Sequence, residues 1–260
     1  MIGNIFAKLG RIAMNTVQEV GQIGQLFFEI VLSFPKIPKN RKLLFFQMEH
    51  IGVNSLPLVL IIAVFTGMVS AWQAAYQLKG IAPMSFLGAA VSRAVITELG
   101  PVLTGIVIAG RVGASIAAEL GTMKVTEQID ALETMAISPV RYLAMPRVVA
   151  SIIMMPIILI FANTIAIIGA YFVSNYFLDV SYNVFFESVK RYFAPADFFS
   201  GLIKTVFFGM VTSLLGCHIG LRTEGGAEGV GLSTIRSFVL SAISILILDF
   251  VLWMLLFSSN

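Results

Sequence analysis

Long apolar runs separated by short polar stretches dominate the chain and predict membrane-spanning helices. A helical span needs ~20 predominantly apolar residues, and five runs approach or exceed that length. They cover residues 51–78, 87–110, 148–178, 205–221 and 238–257. The second run is interrupted by Arg93, Glu98 and a Gly-Pro pair, and the fifth contains Asp249. The pattern predicts an all-α, polytopic membrane protein that forms a single domain over residues 1–260.

An amphipathic helix is predicted ahead of these spans. Apolar residues recur at helical spacing over residues 1–34, and polar residues such as Lys8, Gln18 and Glu29 occupy the opposite face. Such a helix lies in the membrane interface, or alternatively packs on other protein. A basic, proline-broken linker is predicted at 35–42.

Composition supports the membrane assignment. Hydrophobic residues make up 58% of the 260 residues and charged residues only 12%, about half the usual fraction, which argues against a soluble enzyme. Most of the 17 Lys and Arg residues fall in segments on the side of the N-terminus. The positive-inside rule therefore predicts a cytoplasmic N-terminus and a C-terminus on the outer side. The net charge of +3 is explained by this orientation, so no nucleic-acid partner is predicted.

Candidate catalytic and metal chemistry is sparse. The chain has one cysteine, Cys217, and two histidines, His50 and His218, so we expect no catalytic residues, no metal site and no cofactor. The glycine-rich stretch 224–234 has Leu232 where a phosphate-binding P-loop requires Lys. It is interpreted as a flexible turn that ends at a helix capped by Ser233 or Thr234.

Two carboxylates stand inside predicted spans, where an unpaired charge is costly. Glu98 precedes Gly100-Pro101, which loosens the helix, so it lines a cavity or forms an ion pair with Arg93 or a neighbouring span. Asp249 lines the same cavity or pairs with a basic neighbour.

Small residues recur at four-residue spacing after the Gly-Pro pair and predict a close helix-packing strip, within one protomer or between protomers. They are Gly105, Ala109, Gly113, Ala117 and Gly121.

A short amphipathic helix is predicted at 126–138, between the second and third spans. Thr126 is expected to cap it and Pro139 to end it. Its acidic residues lie beside an apolar stripe, which suits the docking of a cytoplasmic partner; the alternative is a helix resting on lipid headgroups. The stripe consists of Ile129, Leu132, Met135 and Ala136.

Four motifs resemble the MlaE (YrbE) family, permease subunits of ABC transporters that work with MCE lipid-carrier proteins. They are Glu-Leu-Gly-Pro at 98–101, Ala-Gly-Arg-Val-Gly-Ala at 109–114, Ala-Glu-Leu-Gly-Thr-Met at 118–123 and Glu-Gln-Ile-Asp-Ala-Leu at 127–132. The resemblance implies a homodimer in a bacterial inner membrane, with cytoplasmic ATPase subunits that use ATP and a periplasmic MCE ring. The implied substrate is phospholipid or a similar hydrophobic molecule.

The resemblance also implies two sets of functional residues. Coupling to the ATPase would involve Lys124, Glu127, Gln128, Asp130, Leu132, Glu133 and Met135. The lipid cavity would be faced by Val69, Gln73, Tyr76, Gln77, Leu78, Glu98 and Leu99.

Two other functions remain open from the residues alone. One is an ion-coupled secondary transporter with Glu98 and Asp249 as a relay. The other is a non-transporting membrane anchor for a periplasmic assembly.

Overall fold

The computed structural model describes residues 2–35 and 41–257, and every regular element among them is a helix. The α-helices are α1 (Ile2–Ser33), α2 (Arg41–Ile51), α3 (Leu56–Leu78), α4 (Leu87–Ala94), α5 (Gly100–Ile108), α6 (Ala114–Val125), α7 (Gln128–Thr134), α8 (Met145–Leu178), α9 (Tyr182–Arg191), α10 (Pro195–Gly220) and α11 (Gly226–Phe257). Short 3-10 turns cover Val53–Ser55 and Met84–Phe86, and π-helical turns cover Val95–Leu99, Ala109–Gly113 and Val140–Ala144.

Among the described residues, five helical stretches are long and apolar enough to cross a membrane. They are Arg41–Leu78, Met84–Val125, Val140–Leu178, Pro195–Gly220 and Gly226–Leu256. The predicted all-α class and the number of spans are therefore confirmed. The second stretch runs beyond the predicted end at 110, because its two π-helical turns continue the helix instead of breaking it.

The fourth span begins ten residues earlier than predicted. Helix α10 starts at Pro195, and Asp197 lies in its first turn. Proline at the first position and an acidic residue near the positive helix end both favour a helix start here. Lys204 is consequently a residue of the span rather than a loop residue that bounds it.

The predicted helix cap in the glycine-rich stretch is wrong. Gly225 and Gly226 adopt positive φ angles of 87° and 66°, and α11 begins at once. Ser233 and Thr234 are residues of that helix, where the Thr234 hydroxyl donates to the Val230 carbonyl at 2.8 Å. Glycine adopts the left-handed backbone of this turn without steric cost, so the helix begins at Gly226 and not after a cap at Ser233 or Thr234.

Helix α1 packs on the bundle through one side only. Leu26 and Ile30 are buried, and α1 contacts the Val140–Ala144 turn and α10. Phe28 and Leu32 remain exposed. Of the predicted linker, residues 36–40 lie outside the described residues, whereas Arg41 and Lys42 open α2.

The closest helix packing joins α3 and α8 through a glycine on each helix. A Cβ atom on Gly67 would lie 1.8 Å from the Ala166 carbonyl oxygen, and one on Gly169 would lie 2.6 Å from that of Val64. Only glycine permits this approach of the two backbones.

The strip of small residues lies against the other side of the bundle. A Cβ atom on Gly105 would lie 3.0 Å from Phe208, and atoms on Gly113 and Gly121 would each lie 2.9 Å from a threonine, Thr212 and Thr223. Ala109 and Ala117 are fully buried. The strip therefore faces α10 and the turn after it within the same chain.

Candidate functional site

The π-helical turn Val95–Leu99 places Glu98 and Leu99 directly before the Gly-Pro pair. Pro101 has no N–H group, so the carbonyl of Thr97 loses the donor that an α-helix would supply four residues later. Lys204 of α10 replaces that donor, because its Nζ donates to the Thr97 carbonyl at 3.2 Å. The irregular backbone is thus satisfied by a side chain from a neighbouring span, as membrane-embedded irregular backbone requires.

The same ammonium group pairs with both intramembrane carboxylates. Lys204 Nζ lies 2.7 Å from Glu98 Oε1 and 2.9 Å from Asp249 Oδ1. The Lys204 side chain is fully buried, whereas the side chains of Glu98 and Asp249 are 35% and 18% exposed. Of the alternatives for these carboxylates, the structure shows ion pairing with a neighbouring span. Glu98, Lys204 and Asp249 are called the charged triad below.

Arg93 is not the partner of Glu98. Its Nε lies 3.1 Å from Asp197 Oδ2, at the start of α10. Sequence reasoning missed Lys204 because it placed the start of the fourth span after this residue. The Pro195 and Asp197 start signal was available in the sequence and would have moved Lys204 into the helix.

Leu99 lines a small apolar pocket between α3, α5 and α8. The pocket has a volume of about 20 Å³, close to the minimum that one water molecule needs. It is far too small for an acyl chain. Its lining includes Val59, Ala63, Leu99, Leu103, Ala162 and Ala166.

The other predicted lipid-contacting residues lie toward the end of α3. Val69 and Tyr76 are 65% and 79% exposed, Gln73 and Gln77 are exposed, and Leu78 is partly buried. Only Leu99 of the seven predicted residues lines the small pocket. The structure therefore does not gather them into one cavity within a protomer.

An exposed apolar stripe runs along α3 at helical spacing. We call it the α3 face, and it consists of Leu58, Ile61, Phe65, Val69, Trp72 and Tyr76. An apolar surface of this kind suits lipid or another membrane helix.

The surface helix between the second and third spans is shorter than predicted, and neither predicted end is correct. The Thr126 hydroxyl donates to the Thr122 carbonyl at 2.8 Å, and Glu127, with a φ of 59°, precedes α7. Ala136, with a φ of 58°, donates its N–H to the Glu133 carbonyl at 2.9 Å and closes the helix. A left-handed residue at each end, rather than Thr126 and Pro139, therefore delimits α7.

Helix α7 is fixed to the bundle by part of its apolar stripe. Ile129 is buried and Leu132 packs against the core, whereas Met135 is 61% exposed. The stripe is therefore divided between the protein core and the surface. The remaining predicted coupling residues are exposed, apart from half-buried Lys124; they are Glu127, Gln128, Asp130 and Glu133.

Two ion pairs hold this end of the bundle together. Lys124 Nζ lies 2.6 Å from Asp130 Oδ1, which ties α6 to α7. Arg147 at the start of α8 is buried and lies 2.8 Å from Glu119 of α6. Helix α7 is thus tied to the second span, and the second span is tied to the third.

Five apolar spans, with a surface helix fixed between the second and the third, are the architecture of a multi-pass membrane protein. The model of the family described as Permease MlaE matches residues 44–255, and the chain belongs to that family. The similarity to this family inferred from the sequence is thereby confirmed.

Relatives named as transporters support the same class over nearly the whole chain. A probable ABC transporter permease protein of Rickettsia felis is 38% identical over 257 residues, which cover 99% of both chains. One of Synechocystis sp. is 38% identical over 237 residues, 91% of this chain and 89% of that protein. The chloroplastic protein TRIGALACTOSYLDIACYLGLYCEROL 1 of Arabidopsis thaliana is 37% identical over 206 residues, 79% of this chain and 59% of that protein. The chain is thus a transporter permease subunit.

Proposed function

We propose that the chain moves phospholipid or a similar hydrophobic molecule between an inner and an outer membrane, driven by a separate ATPase. The observation that carries the proposal is the placement of α7. Its acidic side chains face outward, while Ile129 and the Lys124–Asp130 ion pair fix it to the bundle. A partner bound to α7 can therefore transmit movement to the spans on either side. ATP hydrolysis then belongs to that partner, and this chain contributes no catalytic residue.

A lipid substrate is supported by the surface of α3. The small pocket at Leu99 cannot hold an acyl chain, so we assign the substrate path to the exposed apolar surface of α3. Two protomers whose α3 faces oppose one another would enclose an apolar cavity, which is the surface that acyl chains require. The Arabidopsis relative is named after a galactolipid with a diacylglycerol body, which supports lipid as the substrate class.

The proposed orientation in the membrane rests on the distribution of Lys and Arg residues. We place α1 and α7 on the cytoplasmic side of a bacterial inner membrane, with the N-terminus cytoplasmic and the C-terminus periplasmic. An MCE-protein ring would contact the opposite end of the homodimer. ATP binding would close the ATPase pair, move α7 and compress the cavity, and hydrolysis would reset it.

The experiment is purification of the complex in mild detergent from membranes that contain the neighbouring gene products. We expect the wild-type chain to carry an ATPase subunit, a periplasmic subunit and phospholipid. The double variant Asp130→Lys, Glu133→Lys should lose the ATPase, because two acidic contacts become basic. The measurement is the ratio of ATPase to permease on a gel.

A matched control separates docking from folding. Glu187→Lys reverses the charge of an exposed glutamate on α9, outside the coupling residues, so it should retain the ATPase. Retention of the ATPase by the double variant would show that α7 is not the docking element. A wild-type chain without partners or lipid would contradict the proposed function as a whole.

A further inference from the structure

A polar cleft lies where α1 crosses the ends of α10 and α11. Its volume is about 240 Å³, and a second cleft of about 220 Å³ adjoins it along α1. Gln22, His218 and Arg222 line both clefts. The first cleft is completed by Gln18, Glu19, Ile219, Ser233 and Arg236.

The first cleft carries an excess of positive charge. Arg236 pairs with Glu19 of α1, whereas Arg222 donates to the neutral amide oxygen of Gln22. Among the described residues, Arg222 has no carboxylate partner within ion-pair distance. In the first cleft two guanidinium groups therefore face one carboxylate, Glu19. The other nearby carboxylate, Glu29, lines the adjoining cleft and accepts a hydrogen bond from the Gln25 amide at 3.1 Å.

His218 adds a polar side chain to both clefts. The residue is only 4% exposed, yet it lines each of them. An imidazole at the wall of a cleft can form a hydrogen bond with a group bound there.

We propose that this cleft binds a phosphate group, held by Arg222, His218 and Arg236. A guanidinium presents a fork of donors that matches phosphate oxygens, and charge-assisted hydrogen bonds of this kind are strong. The cleft lies beside an amphipathic helix at the end of the spans, where lipid headgroups and dissolved anions are both within reach. All three residues belong to α10, α11 and the turn between them, and Glu19 of α1 competes with the phosphate for Arg236.

The site is distinct from the α3 face and from α7, so it adds a second ligand position to the permease. A phosphate there would weaken the contact between α1 and α11, because Glu19 of α1 pairs with the same guanidinium group of Arg236.

The test measures binding by the full chain in a nonionic detergent. Inorganic phosphate is titrated by calorimetry, and phosphatidylglycerol and diacylglycerol are compared by native mass spectrometry. We expect Arg222→Gln to weaken phosphate binding about tenfold, the effect of one charge-assisted contact. We expect Glu19→Gln to strengthen it, because the competing carboxylate is gone. Arg41→Gln, an exposed arginine outside the cleft, is the control and should change nothing.

The opposite signs distinguish a binding site from a structural effect, since a loosened α1 would weaken binding in both variants. Binding of phosphatidylglycerol alone identifies a lipid headgroup site, and binding of inorganic phosphate alone identifies a free-anion site; either supports the proposal if it depends on Arg222. Equal binding by wild type and Arg222→Gln, or weaker binding by Glu19→Gln, would overturn it. Far-ultraviolet circular dichroism checks that each variant is folded.

Discussion

Lys204 is a buried ammonium group on which two other helices depend. It contacts the carboxylates of Glu98 and Asp249 and the carbonyl that Pro101 leaves without a donor. A charge buried without a partner destabilises a protein far more than an intact pair stabilises it. Removal of one member of the charged triad alone is therefore expected to destabilise the protein, because it leaves a charge without its partner.

Replacing Lys204 with methionine should destabilise the protein by about 3 kcal/mol, because it leaves two carboxylates facing each other without a cation. The value is at the low end of the range because Glu98 is 35% exposed, so the protein does not fully enclose its charge. Thermal unfolding in detergent, followed by circular dichroism, measures the effect. The triple variant Lys204→Met, Glu98→Gln, Asp249→Asn should recover much of the loss. If the triple variant is no more stable than the single one, the charges are not the cause.

The cost of an intramembrane carboxylate could be predicted from the sequence, but its partner could not. The sequence marks Glu98 and Asp249 as residues that need a partner or a cavity. Glu98 and Lys204 are 106 positions apart, and their meeting depends on how α10 is aligned with the π-helical turn. The π-helical turn forms beside Pro101, which lacks an N–H group, and packs closely on Gly201 of α10. A Cβ atom added to Gly201 would lie 2.6 Å from the Ile96 carbonyl oxygen.

At the scale of elements, spans were predictable and their ends were not. An apolar run of sufficient length specifies a span through the cost of exposing backbone in lipid. Helix ends depend instead on single residues with left-handed backbone, such as Glu127 and Ala136 at α7. Neither residue type favours that conformation, so the sequence-based prediction of Thr126 and Pro139 was wrong. At Ala136 the conformation is accompanied by local hydrogen bonds from Ala136 and Ile137 to the Glu133 and Leu132 carbonyls, both at 2.9 Å.

Close packing of α3 on α8 should make Gly67 intolerant of any side chain. Gly67→Ala places a Cβ atom 1.8 Å from the Ala166 carbonyl oxygen, so the helices must separate. We expect a loss of about 1–3 kcal/mol in thermal unfolding, typical of overpacking. The control Gly24→Ala, where a Cβ atom would meet nothing within 4 Å, should be neutral or stabilising by up to ~1 kcal/mol. Equal behaviour of the two variants would contradict this account of the interface.

At the scale of the whole molecule, the predicted lipid-contacting residues do not meet in one cavity of a single copy. Within a protomer, Leu99 lines a pocket of about 20 Å³, Glu98 faces α10 and α11, and the residues of outer α3 are exposed. Sequence similarity can indicate residues that share a function, but a cavity formed between two protomers is not visible in the structure of one chain.

The proposed homodimer predicts that Val69 of one protomer lies near Val69 of the other. Cys217 is fully buried, so Cys217→Ala gives a background in which an added cysteine is the reactive one. In that background, Val69→Cys should yield a covalent dimer with a short bis-maleimide reagent, seen as a doubled mass on a denaturing gel. Ile203→Cys on α10 is the control, because Ile203 is 42% exposed but lies away from the α3 face, and it should remain monomeric. Comparable cross-linking of the two variants would mean that the α3 faces do not oppose each other, and the lipid path would then have to be sought on another face of the bundle.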